Sequence, residues 1–443
     1  MRIVACGDAL FSSTNLANRL DPRLIGILKD ADGTFANAEF TCPRPETPPA
    51  PRRFITAVKP GAIDEMTSIG INMFSFANNH TGDFGPQGVL DTIAAAEARG
   101  ILWSGIGRSL EEARMARFRD TPNGRIGLVS TSSTRSAEFA ASSPGRGIEP
   151  RPGLNPLRWG RAYVLPDPDF RELQRIEAAL GIAESRKEVL RVEVVKDPGP
   201  DRFGFGSFFE GSLQIERGSH AHVRYYSNDR DCKAILDNIR DAKNRAECAL
   251  VSLHTHEGTD ENWYTPRVAS FIEEFAHQAV EAGADAVLCH GAHMLRGIEF
   301  YRGRPIFYSL NSLFMEFEAG EQRMTPEMYE AYGFTKDHLP SDLHMSRIHD
   351  ANGDKQGFYA EPRFSRSVVA ICDYADDRVA VKLLPLDLDL NRKRVSDRGV
   401  PAIAGREEAL AIVADMTRLS SYYGTRYELG EDGLIVVRPS ADQ

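Results

Sequence analysis

Cysteine is sparse in this chain: Cys6, Cys42, Cys232, Cys248, Cys289 and Cys372 are spread over 443 residues with no CxxC pair. That spacing excludes a paired-CxxC zinc module and suits reduced thiols better than a disulfide framework. Several of the six sit inside apolar runs, where cysteine behaves as a small buried hydrophobe. Long apolar runs are missing too; nothing approaches the roughly 20 residues of a membrane span. No charged leader precedes the first apolar run, so the expectation is a soluble, cytoplasmic protein. Basic charge is in deficit, at a formal net charge of −10. Its longest basic cluster, NRKR at 391–394, reads as a solvated turn, so neither a nucleic-acid nor a membrane surface is expected. GxxxxGK[ST], GxSxG and HExxH are all absent, which removes the P-loop, the serine-hydrolase elbow and the helical zinc protease. GFGSFFEG at 204–211 lacks the strand-before-helix context of a dinucleotide loop and reads as a mobile surface loop.

What remains is an ordinary globular composition, 42% hydrophobic and 26% charged, arranged as alternating strand-like and helix-like runs. From residue 1 to about 130, IVACGD, TFANAEF, INMFSFA, ILWSGIG and RIGLVSTS read as strands. SSTNLANRLDPRLIGILKD reads as a helix or helix pair, KPGAIDEMTSIG as a short helix, and PQGVLDTIAAAEARG as a helix closed by Gly100. Residues 132–230 change character, with a Ser, Pro and Gly-rich stretch to 157. A charged helix then runs into a strand at RVEV. This region reads as an insertion or lid. The α/β rhythm resumes with CALVSLHTHE and ADAVLCH as strands and a hairpin in GIEFYRGRPIFYSLNS. Residues 318–365 read as irregular. A second hairpin with an Asp-rich turn, a helix at 406–420 and a last strand, GLIVVR, follow, so residues 320–443 complete the core of one elaborated domain spanning 1–443.

Polar residues with metal-binding chemistry stand at the ends of five of the apolar runs: Asp8, Glu39, Asn79 with His80, His254, and His290 with His293. Taken singly, an Asp after a strand is a turn former or helix cap, and a lone His is a satisfied core or surface residue. Their convergence from separate strand ends is how a hydrolytic metal site is assembled. His254 and His256 stand at i, i+2, on one face of a continuing strand. His220, His222, His277, His338, His344 and His349 have no supporting cluster.

At these residues the chain resembles the CapA family, named for a poly-γ-glutamate capsule protein and related to calcineurin-like metallophosphoesterases. ANNHTGDFGPQGVLDT matches that family's ANNH-x-x-D-x-G-x-x-G-x-x-x-T. NAEF, SLHTHE, VLCHGAH and GIEFYRGRPIFYSL resemble its further elements, and KLLPLDLDL its closing strand. The resemblance implies a calcineurin-like α/β fold, an αββα layered sandwich of mixed sheets with an insertion and a C-terminal extension. Carried over by position, it makes Asp8, Glu39, Asn79, His254, His290 and His293 metal ligands, with His256 and Glu257 as additional candidates. It makes His80 the general acid, oriented by Asp83, and Glu39 the bridging carboxylate. The ions would be one or two divalent metals, with Mn, Zn or Fe the best matches to mixed N/O ligands. Leu10 stands where calcineurin-like enzymes place a D-x-H histidine, Gly291 and Ala292 replace a His and a Pro, and SLNSL at 309–313 displaces an asparagine. His256 stands where glycine is usual.

The function expected is a metal-dependent hydrolase in which a metal-activated water cleaves an amide or γ-glutamyl-type bond. Its substrate would be a small molecule or short peptide, carboxylate-rich, met by Arg135, Arg146 or Arg151. The same ligands could serve a phosphomonoesterase or phosphodiesterase. A non-catalytic capsule-assembly factor is the alternative outside enzymology.

Overall fold

Ile3 and Ala5 are buried on one face of the Arg2–Leu10 strand and Val4 and Cys6 on the other. Alternation of this kind, apolar on both sides, marks a strand covered by two layers. The computed structural model describes residues 1–316, 324–375 and 378–440. It divides into two compact units, Met1–Arg158 with Asp229–Val268 and Ile272–Gln443, and Trp159–Asn228 with Ala269–Phe271.

The larger unit holds two mixed sheets. In the first, Arg2–Leu10 pairs in parallel with Gly33–Ala38, which continues in parallel through Met73–Ser75 to Leu102–Ser104. On its other side lies the antiparallel run of Arg366–Ala375, Arg378–Asp387 and Ile435–Arg438. In the second sheet Gly124–Ser132, Cys248–Thr255 and Ala286–Gly291 are parallel neighbours. Ile3, Phe35, Met73, Val368 and Ala370 meet Ile126, Leu128, Leu250, Ala286 and Leu288 in the apolar layer between the sheets. The far face of the first sheet is covered by helices Pro22–Lys29, Gly61–Ser68 and Gly85–Glu97 through Leu24, Leu28, Met66, Val89 and Ile93. Helix Asp229–Arg245 packs on the second sheet. The result is the expected α/β sandwich of two mixed sheets between helices. The smaller unit has its own four-stranded sheet and an apolar centre of Phe170, Phe203 and Ile215.

Several expectations are corrected. The polypeptide 132–158, grouped with the insertion by its Ser and Gly content, lies in the larger unit. RVEV does not form a strand: helix Ile182–Val192 continues into it, supported by the Glu184–Lys187 and Glu188–Arg191 pairs, and Pro198 and Pro200 follow. Gly204 and Phe205 of the presumed loop belong to the Arg202–Phe205 strand. Only Leu16–Asn18 and Pro22–Lys29 are helical in the first connection; Asp21 caps the second, accepting from Arg23 N at 2.8 Å. The polar region after 324 carries helices Pro326–Ala331 and Pro340–Ile348, each opened by a proline in its first turn. The Asp-rich turn at 376–377 and positions 318–323 lie outside the described residues. Among the described residues no helix is long and apolar enough to cross a membrane.

Candidate metal centre

Parallel strands release their chains at one edge, and that edge collects the site. Asp8 reaches it through an irregularity: the register with the Gly33–Ala38 strand shifts between Ala5 and Asp8. Gly7 sits at the shift, where a Cβ would lie 1.7 Å from the Asn311 carbonyl oxygen. Glycine is therefore required for the close passage of 310–312, and the bulge re-aims the next side chain. His254 and His290 are register partners on neighbouring strands. Gly291, with φ of +113°, leaves room for the His254 ring, whose Nε2 and Cε1 lie 3.0 Å from where a Cβ would stand.

The nitrogens and oxygens of these residues converge in two groups. In one, the ligand atoms of Asp8, His254 and His290 all lie within 4.8 Å of one another, and in the other those of Glu39, His256 and His293 do. Within the first, Asp8 Oδ1 is 3.1 Å from His290 Nδ1 and 3.7 Å from His254 Nδ1. The two Nδ1 atoms are 3.1 Å apart. His254 also spans the groups, with its Nε2 3.8 Å from Glu39 Oε1. Glu39 Oε1 is 3.7 Å from His293 Nε2 and 3.9 Å from His80 Nε2. His293 holds a left-handed backbone, φ 52°, unusual for a non-glycine residue and found where a site constrains the chain.

Glu39 tests whether this is a cation site. Its side chain is 0% exposed, and among the described residues neither oxygen has a hydrogen-bond partner. An uncompensated buried carboxylate is costly, so native chains pair it or place it on a metal. Burial, followed by the charges of Asp8 and Asp83, pushes its pKa well above the usual carboxylate range. Burial acts the same way on Asp8, but hydrogen bonds and charge from His254 and His290 outweigh it and hold its pKa well below that range. Burial lowers His254 to about 4, and His256 and His293 also fall, so these imidazoles stand neutral and able to bind metal. The mixed N/O donor set fits a divalent transition ion.

His80 is bonded through Nδ1 to Asp83 Oδ2 at 2.7 Å, which also accepts the Thr56 amide at 2.7 Å. Asn79 Oδ1 is buried with no described partner and lines the cleft above the site. Glu257, a candidate ligand, is instead surrounded by hydroxyls: Ser133 Oγ at 2.5 Å, Thr255 Oγ1 at 2.8 Å and Thr134 Oγ1 at 3.0 Å donate to it. It orients its neighbours and belongs to neither ligand group.

The cleft measures about 650 Å³ and is walled by Arg52, Arg53, Arg135 and Arg347 together with Phe54, Trp263, Tyr264, Tyr332 and Phe358. Arg146 and Arg151, expected as substrate cations, are not in that wall; Arg151 Nε instead donates to the Ala140 carbonyl at 3.1 Å. Sequence reasoning missed Asn37, whose amide donates to Asp8 Oδ1 at 2.8 Å, and Asn78, which bonds the Ala38 carbonyl at 2.9 Å. Both lie within runs already singled out, Asn37 two positions before Glu39 and Asn78 next to Asn79.

Fold and site together define a layered α/β protein carrying two candidate metal-binding groups where strands of both sheets end. The chain belongs to the family described as bacterial capsule synthesis protein PGA_cap, whose profile matches residues 2–315. It is 31% identical to an uncharacterized protein of Sinorhizobium fredii over 98% of this chain and 92% of that one. A Mycobacterium tuberculosis protein named "Probable polyglutamine synthesis accessory protein" is 26% identical over 65% of this chain, an alignment that spans 53% of the relative. A crystal structure of a provisionally named 5'-nucleotidase from Staphylococcus aureus, in complex with alpha-ketoglutarate, aligns with a TM-score of 0.34 at 10% identity. The alignment covers 87% of this chain and 54% of that one.

Proposed function

We propose that this member of the capsule synthesis family is a metal-dependent hydrolase that cleaves an amide, of γ-glutamyl type, with water. The observation that carries the reading is Glu39: a fully buried carboxylate without hydrogen-bond partners, ringed by imidazole nitrogens of His80, His254 and His293 at 3.7–3.9 Å. Asp8, His254 and His290 would hold one divalent ion, and Glu39 with His293 would contribute to a second. Such ions supply Lewis-acid polarisation of the attacked group and a nucleophilic water near neutral pH.

The chain's own residues supply the rest. Asp83 accepts from His80 Nδ1, which fixes the proton there and turns Nε2 toward the site as the atom that takes or gives a proton. Protonated His80 delivers that proton to the departing amine nitrogen. Arg52 stands 3.5 Å from Asp83 and 2.8 Å from Glu138, closing the dyad from the cleft side. Four arginines against Glu138 give the cleft an excess of positive charge, suited to a carboxylate-bearing substrate. The relative named for polyglutamine synthesis favours an amide over a phosphoester.

The test is to measure bound metal, then turnover of γ-glutamyl amides and of phosphoesters by the metal-loaded protein. Amine release is expected. Phosphate release alone would transfer the site to phosphoester chemistry. Metal binding without turnover of either panel would leave an accessory role in capsule assembly and remove the hydrolase.

A further inference from the structure

His256 is the first residue beyond the Cys248–Thr255 strand, and its surroundings fix its ring in both orientation and tautomer. Thr134 Oγ1 lies 2.9 Å from His256 N, 3.2 Å from His256 Nδ1 and 3.0 Å from each oxygen of Glu257. A hydroxyl has one proton to give and two lone pairs, and a carboxylate only accepts. The Thr134 proton therefore goes to Glu257, and both lone pairs receive the backbone N–H and the Nδ1–H of His256. That assignment leaves the lone pair on Nε2. Glu257 is in turn held as an acceptor by Ser133 and Thr255, so the chain of donors cannot easily reverse.

The backbone at this position is pinned as well. Arg296, 0% exposed, donates from Nη2 to the carbonyls of His256 at 3.0 Å and Trp263 at 2.8 Å. The Trp263 ring lies against the imidazole with centroids 4.5 Å apart. Any buried histidine needs a partner for its ring N–H. In a metal-binding histidine that partner must hold the non-ligating nitrogen, so that the ligating one keeps its lone pair in place, and the Thr134 hydroxyl is placed to do so at Nδ1. The ring also reaches the right neighbours: one of its nitrogens falls within 4.8 Å of a carboxylate oxygen of Glu39 and a ring nitrogen of His293.

We propose that His256 is a ligand of a second divalent ion together with Glu39 and His293, and that Glu257 and Thr134 are positioning residues that fix its tautomer. The inference rests on the reading of this edge as a metal centre. It adds that the second ion depends on His256, at the exit of a central strand of the second sheet.

The experiment is calorimetric titration of the metal-free full chain with Zn²⁺, with bound metal counted by elemental analysis. Wild type is expected to take two equivalents. H256A should take one, with the affinity of the retained site unchanged. T134V, which keeps the imidazole but removes its hydroxyl partner, should weaken the second equivalent by about tenfold to a hundredfold. T134S should restore it, which a general packing defect would not allow; the T134V and T134S pair decides the matter even if H256A fails to fold. Two equivalents of unchanged affinity in H256A, or in T134V, would overturn the inference while leaving the metal centre standing. A single equivalent in wild type would overturn it also. No binding by wild type would remove the metal centre and the inference together.

Discussion

His80 Nδ1 and Asp83 Oδ2 are 2.7 Å apart within one buried turn, and Arg52 stands 3.5 Å behind the second carboxylate oxygen. The pair is a proton-handling group only if Asp83 keeps Nδ1 protonated. D83N removes the charge that does so while leaving the side chain's size. We expect turnover to fall by about 10²–10⁴-fold, the range of a lost general acid or base, with bound metal unchanged. Turnover within twofold of wild type, at equal metal content, would take the dyad out of the mechanism.

Glu39 carries a cost that the metal-free fold bears in full. Its pKa is raised by burial and then by Asp8 and Asp83, so folding favours the protonated form. The sign follows: no stability is lost below the ordinary carboxylate pKa of about 4.3, and stability falls as pH rises from there toward the folded value. E39Q removes the ionisation. In chelator, E39Q should be more stable than wild type at pH 7, because the amide keeps the side chain's size and carries no charge to bury. It should also lose metal. Chemical denaturation with and without metal measures both, and a metal-free E39Q no more stable than wild type would contradict the assignment.

The histidines run the other way. His254 is lowered to about 4 by burial, against partial opposition from Asp8, and His293 and His256 are lowered too. A depressed histidine contributes stability that is present above its unfolded pKa of about 6.5 and lost as pH falls through the window toward 4. In metal-free wild type this rising trend opposes the falling one from Glu39. In metal-free E39Q that opposition is removed and, among the described residues, only the raised carboxyls of Glu316 and Asp387 still act against the rise, so stability should climb more steeply from pH 4 to 6.5 than in wild type. A flat profile across that window would show that the imidazoles are not held neutral by the fold.

Where the sequence was legible, the physics was local. An apolar run ending in Asp, Glu or His announces a strand that delivers a polar group to a sheet edge, and Asp8, Glu39, His254 and His290 were found that way. Asn37 was not, because its role comes from register: it is the strand partner of Asp8, and only pairing puts its amide on that carboxylate. Composition places Ser133 and Thr134 in the insertion, whereas Ser133 N is bonded to the His254 carbonyl at 3.0 Å. Serine-rich sequence looks the same whether its hydroxyls face water or a buried carboxylate. Arg296 left no signal at all, since a buried arginine bonded to backbone carbonyls has no charged partner spaced along the chain.

Arg296 therefore merits its own test. Its guanidinium, lowered to about 10 by burial, donates to the carbonyls of His256, Trp263 and Thr265 and ties down the loop that carries two cleft aromatics. R296M leaves the buried His256 carbonyl and the partly buried Trp263 and Thr265 carbonyls without this donor. The expected loss is about 2–4 kcal/mol, read by denaturation, since each unsatisfied group costs about 1–3 kcal/mol and part of the loop can rearrange toward water. The Trp263 emission should shift to the red. A stability change below about 0.5 kcal/mol would mean the loop is held by other contacts.

Gly291 joins backbone conformation to ligand geometry most directly. Its φ of +113° is a region that L side chains rarely adopt, and a Cβ there would approach His254 Nε2 at 3.0 Å. G291A cannot relieve both problems at once: relaxing φ moves the amide that donates to Asp8 Oδ2 at 2.7 Å, and keeping φ presses the methyl on the ring. The backbone strain costs about 1–3 kcal/mol, and the displaced imidazole should weaken the ion held with Asp8 and His290. We expect a lower melting temperature in chelator and a loss of metal affinity larger than the loss of stability alone accounts for. If G291A lost stability but bound metal as wild type does, His254 would be shown to ligate without the clearance that this glycine provides.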